Sequence, residues 1–279
     1  MIPKLAGYDI PTAEEMPKNK VDWFPDASRA VLLVHDMQDY FLDFWGDNSE
    51  FVNKLVQNIA ILKNYCHAAK IPVFYTAQPI NQKPEDRALM LDVWGKGIDN
   101  RPERKDIVCG LAPKEGDRVL VKHRYSAFQR SDLAQTMKAE GRDQIIICGV
   151  YAHIGCLATA IEAFMLDIQP FFIGDCLGDF TKEKHLTALQ MAAEFSGSVL
   201  PLQKVTSGLV EADLRTVILQ ALDGDDEDWP EADESLIDYG VNSVQIMNMV
   251  SRWRHVRPHL DFVTLAQSPT LESWRRSLL

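Results

Sequence analysis

The sequence contains no apolar run long enough to cross a membrane, because its longest hydrophobic stretches have the length of one strand. It has no Cys-x-x-Cys pair, and its five cysteines are scattered, which argues against a disulfide framework or a structural zinc site. It also lacks an excess of positive charge: the formal net charge is −11, which disfavours nucleic acid as a partner. The N-terminal segment lacks a secretory signal pattern, so a cytoplasmic location is expected.

Strand-length apolar runs alternate with helical patterns over the first two thirds of the chain. The clearest unit is residues 144–163, in which the run Ile145 to Cys148 leads through a turn with two glycines into an Ala- and Leu-rich helix. Six buried strands are predicted, at 30–35, 71–76, 118–122, 145–148, 169–173 and 198–201. This alternation predicts an α/β fold with three layers and a doubly wound, mainly parallel six-stranded sheet.

Polar residues follow several of these strands at the point where each strand ends. Asp36 follows the first strand, Gln78 follows the second and Lys122 ends the third, while the turn 149–155 follows the fourth. Ligands bind at the carboxyl ends of the strands in such sheets, so the convergence predicts an active-site edge. Taken singly, an Asp or a Lys after a strand is often only a turn or surface residue. The long excursion 79–116 has the length of a functional lid or wall.

The composition changes after Lys204. Residues 205–279 contain thirteen Asp and Glu against six Arg and no Lys, a net of −7, and nine of the acidic residues lie in 223–238. An acidic run is usually a solvated loop. Helical patterns at 209–222, 243–253, 261–266 and 270–279 predict a small all-α four-helix domain. The predicted domains are therefore 1–204 and 209–279, with a short linker near Ser207 and Gly208.

Four motifs carry a family resemblance: HDMQDYF from residue 35, YTAQP from 75, VKHRYSAF from 121 and GVYAHIGC from 149. Across residues 22–202 they resemble the bifunctional isochorismatases of catechol siderophore synthesis, within the isochorismatase-like (cysteine hydrolase) superfamily. That superfamily uses an Asp, a Lys and a Cys at three strand ends. The resemblance implies catalytic roles for Asp36 and Lys122 and substrate contacts for Gln78, Arg87 and Tyr151. Phe41, Trp94 and Tyr125 would be apolar walls, although core or lid packing stays open for each aromatic residue.

One departure from the superfamily pattern concerns the nucleophile. The match places Gly155, not Cys156, at the catalytic cysteine position, and a shift of one residue turns a helical side chain by about 100°. We interpret Cys156 as a buried packing residue; a nucleophilic thiol is the disfavoured alternative. With Gly155 in place of the thiol, the resemblance implies hydrolysis of the vinyl ether of isochorismate, with Asp36 protonating carbon. His35, His123 and His153 raise the possibility of a metal site, but no metal is expected.

A second resemblance covers the sequence from Asp238 to Ser243, DYGVNS, which is similar to the phosphopantetheine attachment site of an aryl carrier domain. A Ser at a helix start is most often an N-cap. The resemblance implies that Ser243 carries 4′-phosphopantetheine, which accepts an activated 2,3-dihydroxybenzoyl group. Aryl carriers usually have Asp before the Ser, whereas this chain has Asn242. Met247, Phe262 and Ala266 match the partner-docking positions of the family, with helix-bundle core as the alternative.

The combined resemblance implies a set of partners: isochorismate, a phosphopantetheinyl transferase, a 2,3-dihydroxybenzoate-activating ligase and a condensation domain of a non-ribosomal peptide synthetase. A homodimer is expected. Two rival functions remain open. The chain could be a delivery module with an inactive hydrolase fold, although the presence of Asp36 and Lys122 speaks against this. It could instead hydrolyse an aminated isochorismate analogue, as in phenazine synthesis, although the fused carrier speaks against that.

Overall fold

A computed structural model describes residues 2–222, 224 and 228–279 of the chain. The fold divides into two compact units. The first comprises Met1–Lys63 and Ile71–Leu202, and the second comprises Asn64–Lys70 and Gln203–Leu279. Within the acidic stretch singled out by the sequence, residues 223 and 225–227 lie outside the described residues.

A six-stranded sheet forms the centre of the first unit. Its strands are β1 (Ala30–His35), β2 (Val73–Ala77), β3 (Arg118–Val121), β4 (Gln144–Val150), β5 (Gln169–Gly178) and β6 (Ser198–Leu200). Each pair of neighbours is parallel. Every residue of β1 and β4 is buried, as continuous apolar runs in a parallel sheet require. The predicted six-stranded parallel α/β sheet is confirmed.

The strand order is β3-β2-β1-β4-β5-β6, so the chain builds outward from β1 in one direction and then returns to the other side of it. Right-handed crossovers place the connecting helices on both faces of such a sheet, which gives three layers. The direction reverses between β1 and β4. Open α/β sheets bind their ligands outside the carboxyl ends of the two strands at such a reversal.

Seven helices connect these strands: α1 (Asp39–Leu42), α2 (Glu50–Ala68), α3 (Pro84–Arg87), α4 (Met90–Trp94), α5 (Leu133–Ala139), α6 (Leu157–Met165) and α7 (Lys182–Phe195). Helix α7 begins after Thr181, whose side chain accepts a hydrogen bond from the Lys184 N–H. Asp132 is the N-cap residue of α5. The neighbouring Ser131 hydroxyl donates to the Ala127 carbonyl and accepts the Leu133 N–H.

The excursion between β2 and β3 folds over the carboxyl end of the sheet as α3, α4 and three short 3₁₀ turns: Gly97–Asn100, Pro102–Arg104 and Cys109–Leu111. It is tied to the segment that follows β1. The Gln38 amide donates to the carbonyls of Gln78 and Lys105, and the Asp43 carboxylate accepts from Arg101 and Arg104. These bonds fix the excursion as a wall beside the end of β1.

The second unit contains α9 (Ser243–Trp253), α10 (Phe262–Gln267), α11 (Leu271–Leu278) and most of α8 (Leu202–Ala221). Two fully buried tryptophans form its core, and both of their polar N–H groups have partners. The Trp253 indole donates to the Asp213 carboxylate at 2.6 Å, and the Trp274 indole donates to the Leu265 carbonyl at 2.9 Å. A buried indole N–H without a partner would destabilise such a core.

The linker predicted near Ser207 and Gly208 is wrong, because both residues lie inside α8. Apolar residues are buried at helical spacing on both sides of them, at Val205 and Leu209. The helix begins at Leu202, whose N–H donates to the Asp175 carboxylate at 2.7 Å. No helix in the described part of the chain is long and apolar enough to span a membrane.

Candidate active site

Asp36 and Lys122 form a buried ion pair at the carboxyl end of the sheet. Lys122 Nζ lies 2.8 Å from Asp36 Oδ2, and the two side chains are 3% and 7% exposed. The other carboxylate oxygen, Oδ1, accepts a hydrogen bond from the Thr76 hydroxyl at 2.6 Å. Thr76 also accepts the Asp36 backbone N–H. Strands β1, β2 and β3 therefore each contribute one group, and together they fix the carboxylate in one orientation.

Asp36 has a positive φ of 49°, in the left-handed region that Asp tolerates better than most residues. The backbone turns sharply there as β1 ends. The Lys122 ammonium is held from its other side by the Arg124 carbonyl, at 2.8 Å. A buried charge pair needs such additional hydrogen bonds to offset its desolvation.

All nine residues predicted for catalysis and substrate binding line one cavity beside this pair: Asp36, Lys122, Gly155, Gln78, Arg87, Tyr151, Tyr125, Trp94 and Phe41. Eight further residues complete the lining: Ile2, His35, Tyr40, Met90, Gly97, Val150, Ile154 and Phe180. Sequence reasoning missed them as substrate contacts. Two of them could have been predicted from their position at the carboxyl end of a strand, as Asp36 was: His35 ends β1, and Phe180 follows β5 closely.

Arg87 supplies a second cationic group to the cavity. Its side chain is buried, and its Nε donates to the Gly95 carbonyl. A Cβ at Gly97 would lie only 2.2 Å from Arg87 Nη2, so the guanidinium rests directly on the backbone of the excursion. Burial lowers the pKa of Arg87 from its ordinary value. A planar guanidinium held in this way is suited to bidentate binding of a carboxylate.

The aromatic residues of the cavity use their polar atoms on one another or on the backbone. The Tyr151 hydroxyl donates to the Phe41 carbonyl at 2.7 Å, and the Trp94 indole donates to the Tyr125 hydroxyl at 2.8 Å. Burial raises the pKa of Tyr151 well above its ordinary value, so this hydroxyl is neutral. The walls of the cavity are therefore aromatic and uncharged, while the charged groups are Asp36, Lys122 and Arg87.

The turn after β4 brings its backbone against the end of β1. Gly149 has φ of 113°, and a Cβ there would lie 2.2 Å from the His35 carbonyl oxygen. A Cβ at Gly155 would lie 2.3 Å from His35 Cε1. Both glycines therefore lie where a side chain would meet His35. A π-type turn, Ala152–Cys156, precedes α6.

Comparison with known proteins identifies the family. Residues 30–204 match the isochorismatase domain. The chain belongs to the isochorismatase family.

Two of three similar proteins align with this chain over nearly its full length, and the third aligns with a smaller part of it. Enterobactin synthase component B of Escherichia coli K12 is 49% identical over 99% of this chain and 98% of its own. The isochorismatase of Bacillus subtilis is 44% identical over 99% of this chain and 95% of its own. The phenazine biosynthesis protein PhzD of Pseudomonas fluorescens is 44% identical but covers only 73% of this chain. The prediction of an isochorismatase-family enzyme is confirmed.

Solved structures show the same fold. A cysteine hydrolase from Pseudomonas syringae pv. phaseolicola superposes with a TM-score of 0.62 at 21% identity, and covers 70% of this chain and 98% of its own. An isochorismatase family protein from Desulfovibrio vulgaris superposes with a TM-score of 0.54 at 25% identity, and covers 64% of this chain and 97% of its own. The resemblance at such low identity is one of architecture.

Cys156, the last residue of the turn after β4, has its thiol in the hydrophobic core. Cys156 is fully buried in the apolar cluster below the sheet edge, as the sequence predicts. Burial raises the pKa of this thiol well above its ordinary value, so it is neutral. A neutral thiol that does not line the cavity is a poor nucleophile for a substrate bound there.

Two of the three histidines considered as metal ligands, His153 and His35, have hydrogen-bond partners, whereas the buried Nδ1 of His123 has none among the described residues. His153 Nδ1 lies 2.5 Å from Asp179 Oδ1, and the backbone N–H of His153 donates to the same carboxylate. His35 Nδ1 lies 2.8 Å from the Val150 carbonyl. In the part of the chain that the structure describes, no three His, Cys, Asp or Glu side chains group together as a metal site. The absence of a metal remains a prediction.

Ser243 is the first residue of α9, and its side chain is exposed. Asn242 caps the helix by accepting from the N–H groups of Val244 and Gln245, which leaves the Ser243 hydroxyl without the capping task. Ser243 lines a shallow depression with four other residues: Val244, Met247, Asn248 and Phe262. Met247 is 53% exposed, so the alternative of a bundle-core role is wrong for it. Phe262 and Ala266 are half-buried.

Proposed function

We propose that this chain hydrolyses the enolpyruvyl vinyl ether of isochorismate to pyruvate and 2,3-dihydro-2,3-dihydroxybenzoate. The observation that carries the proposal is the buried Asp36–Lys122 pair, joined at 2.8 Å, in a cavity where position 155 offers no side chain. A carboxyl group held this way is suited to proton transfer. Hydrolysis of a vinyl ether needs a proton on carbon and a water molecule, and it needs no covalent intermediate with the protein.

In the proposed reaction Asp36, in its acid form, gives its proton to the terminal methylene carbon of the enolpyruvyl group. The electron pair of the C=C bond forms the new C–H bond and leaves an oxocarbenium ion. Water adds to that ion and returns a proton to the Asp36 carboxylate. The bond between the hemiketal carbon and the ring oxygen then breaks. The hemiketal hydroxyl loses its proton to become the carbonyl of pyruvate, and the ring oxygen gains a proton to become a hydroxyl group.

The charges of the cavity support a dianionic substrate. Arg87 and Lys122 are cationic side chains with little exposure to solvent, and isochorismate carries two carboxylates. We assign one carboxylate to the Arg87 guanidinium and a substrate oxygen to Lys122. The negative charge of the substrate would offset the positive charges of the Arg87 guanidinium and the Lys122 ammonium. Gln78 and Tyr151 would contact substrate hydroxyls, and Phe41, Trp94 and Tyr125 would cover the ring.

We further propose that Ser243 carries 4′-phosphopantetheine and that the second unit is an aryl carrier domain. The residues fit this group, because an exposed hydroxyl at the start of α9 is bordered by the exposed apolar side chains of Val244 and Met247. When attached, the group supplies a terminal thiol that holds 2,3-dihydroxybenzoate as a thioester. A flexible arm delivers such a group through its effective concentration. The full-length alignment with an enterobactin synthase component supports this assignment.

The proposed carrier role defines the proposed partners. A phosphopantetheinyl transferase would modify Ser243, a 2,3-dihydroxybenzoate-activating ligase would load it, and a condensation domain would unload it. The exposed face of Met247, with the half-buried Phe262 and Ala266 on α10, would meet these proteins. A homodimer remains an expectation from the family resemblance.

The first experiment is pyruvate release by the purified full-length protein. Isochorismate is the test substrate and chorismate is the control. The aminated isochorismate analogue is measured as an alternative substrate, because a phenazine biosynthesis protein is among the relatives. We expect the highest kcat/KM with isochorismate. Absence of pyruvate from isochorismate would contradict the proposed reaction. A higher kcat/KM with the aminated analogue would reassign the substrate.

A further inference from the structure

The imidazole of His35 occupies the space that a side chain at position 155 would need. His35 is the last residue of β1 and is 1% exposed. An ideal Cβ at Gly155 would lie 2.3 Å from His35 Cε1, 2.8 Å from its Nε2 and 3.1 Å from the Tyr125 carbonyl oxygen. Favourable contacts between carbon atoms begin at about 3.5 Å. With His35 in place, position 155 has no room for a side chain.

A hydrogen bond at Nδ1 also holds the imidazole in position. Nδ1 lies 2.8 Å from the Val150 carbonyl oxygen, and Nε2 lies 3.3 Å from the Tyr125 carbonyl oxygen. Burial lowers the pKa of His35, so the ring is neutral and carries one N–H. The shorter contact marks Nδ1 as the donor. A ring fixed between the end of β4 and the loop after β3 does not yield to a new side chain without breaking these contacts.

We propose that His35 determines the reaction class of this cavity. By filling the space beside Gly155, it excludes every side chain from position 155, a nucleophilic thiol included. The cavity is thereby confined to chemistry that Asp36 and Lys122 perform without a nucleophile. The statement about the reaction rests on the proposed function, whereas the steric pairing of His35 with Gly155 does not depend on any substrate.

The pairing also links position 155 to the catalytic carboxylate. His35 Nδ1 lies 3.8 Å from Asp36 Oδ2, and the two residues are adjacent in the chain. A side chain introduced at position 155 would displace the imidazole, which lies beside the Asp36–Lys122 pair. His35 is thus a positioning residue, and a smaller residue at position 35 would relieve the effect of a larger residue at position 155.

A double-mutant cycle tests this inference. It comprises wild type, Gly155→Ala, His35→Ala and the double variant, each measured for melting temperature and for kcat and KM of pyruvate release. A control cycle replaces His35→Ala by His185→Ala, because His185 is also fully buried but bonds Tyr8 and does not line the cavity. His35→Val, which keeps an apolar side chain in the buried strand, replaces His35→Ala if the latter does not fold.

We expect Gly155→Ala to lower the melting temperature by several degrees and kcat by about tenfold or more, because overpacking displaces its neighbours. Adding His35→Ala should recover about half of the loss in melting temperature and raise kcat above that of Gly155→Ala, as contacting residues couple. Adding His185→Ala should lower the melting temperature further.

Effects of His35→Ala and Gly155→Ala that simply add, as in the control cycle, would overturn the inference. A recovered melting temperature without any recovery of kcat would overturn the positioning role of His35. If the wild-type protein released no pyruvate from isochorismate, the proposed function would fail, while the melting temperatures would still decide whether His35 and Gly155 form a steric pair.

Discussion

The cavity of the first unit and the Ser243 face of the second unit differ in how they present their reactive groups. The side chains of Asp36 and Lys122 are 7% and 3% exposed, and each has more than one polar partner. Ser243 is exposed and lies beside Met247, which is 53% exposed. Chemistry on a small substrate requires fixed groups sheltered from water. A hydroxyl that other proteins must modify and visit requires access.

The largest effect is expected for attachment of the proposed phosphopantetheine group to Ser243. Ser243→Ala should abolish attachment of phosphopantetheine by a phosphopantetheinyl transferase, because the acceptor oxygen is gone. Intact-protein mass spectrometry after incubation with coenzyme A checks this. Ser251→Ala, an exposed serine of the same helix, is the matched control and should gain the mass of one arm. Attachment to the Ser243→Ala protein would disprove the assignment.

The next largest effect is expected in the cavity. Asp36→Asn should lower kcat for pyruvate release by about 10³-fold, because loss of a general acid typically costs 10²–10⁴-fold. The amide still accepts the Thr76 hydroxyl, so the fold and substrate binding should persist. Steady-state kinetics and a binding titration measure the two effects. Asp175→Asn, at a carboxylate that accepts the Leu202 N–H and does not line the cavity, is the control. Equal losses in both variants would refute a catalytic role for Asp36.

A smaller effect is expected from Arg87, the cation to which we assign substrate binding but no part in proton transfer. Arg87→Lys keeps the positive charge but loses the planar fork, and should raise KM by about tenfold with a lesser change in kcat. Arg130→Lys, at an exposed arginine outside the cavity, should leave both constants close to those of wild type. A fall in kcat with KM unchanged would indicate that Arg87 acts in the chemical step instead.

The smallest effect is expected from the buried thiol. Cys156→Ala should keep kcat within about twofold of wild type and lower the melting temperature by a few degrees, since it leaves a small cavity in the core. Pyruvate release and a thermal melt check both parts. If turnover disappeared while the variant stayed folded, Cys156 would be the nucleophile, and the assignment of Gly155 to that position would be wrong.

The sequence predicts the active-site edge well because parallel strands align their carboxyl ends. The apolar run at residues 30–35 matches β1 in full, and the polar residues that follow the strands meet in one cavity. The extension of β5 to Gly178 escapes prediction. It depends on a register shift between Ile147 and Gly149 of β4, after which Leu177 and Gly178 pair with β4. Such a shift leaves no local pattern in the sequence.

Other features depend on contacts between distant segments. The steric pair of His35 and Gly155 joins the end of β1 to the turn after β4, so neither position reveals it alone. The helices of the excursion, α3 and α4, are too short to show a periodic pattern. A linker is predicted near Ser207 and Gly208, but the buried residues on both sides of them stabilise α8 although Gly is a poor helix former.

The central claim is that Asp36 protonates the methylene carbon and that water then adds to the oxocarbenium ion. Its most direct test is to determine which C–O bond breaks. The wild-type protein is incubated with isochorismate in water enriched in ¹⁸O, the pyruvate is trapped at once, and the ring product is analysed by mass spectrometry. Protonation of carbon followed by addition of water to the oxocarbenium ion predicts an unlabelled 2,3-dihydro-2,3-dihydroxybenzoate, with the label in pyruvate. A labelled ring hydroxyl would mean that water attacks the ring, and it would contradict the mechanism assigned to Asp36.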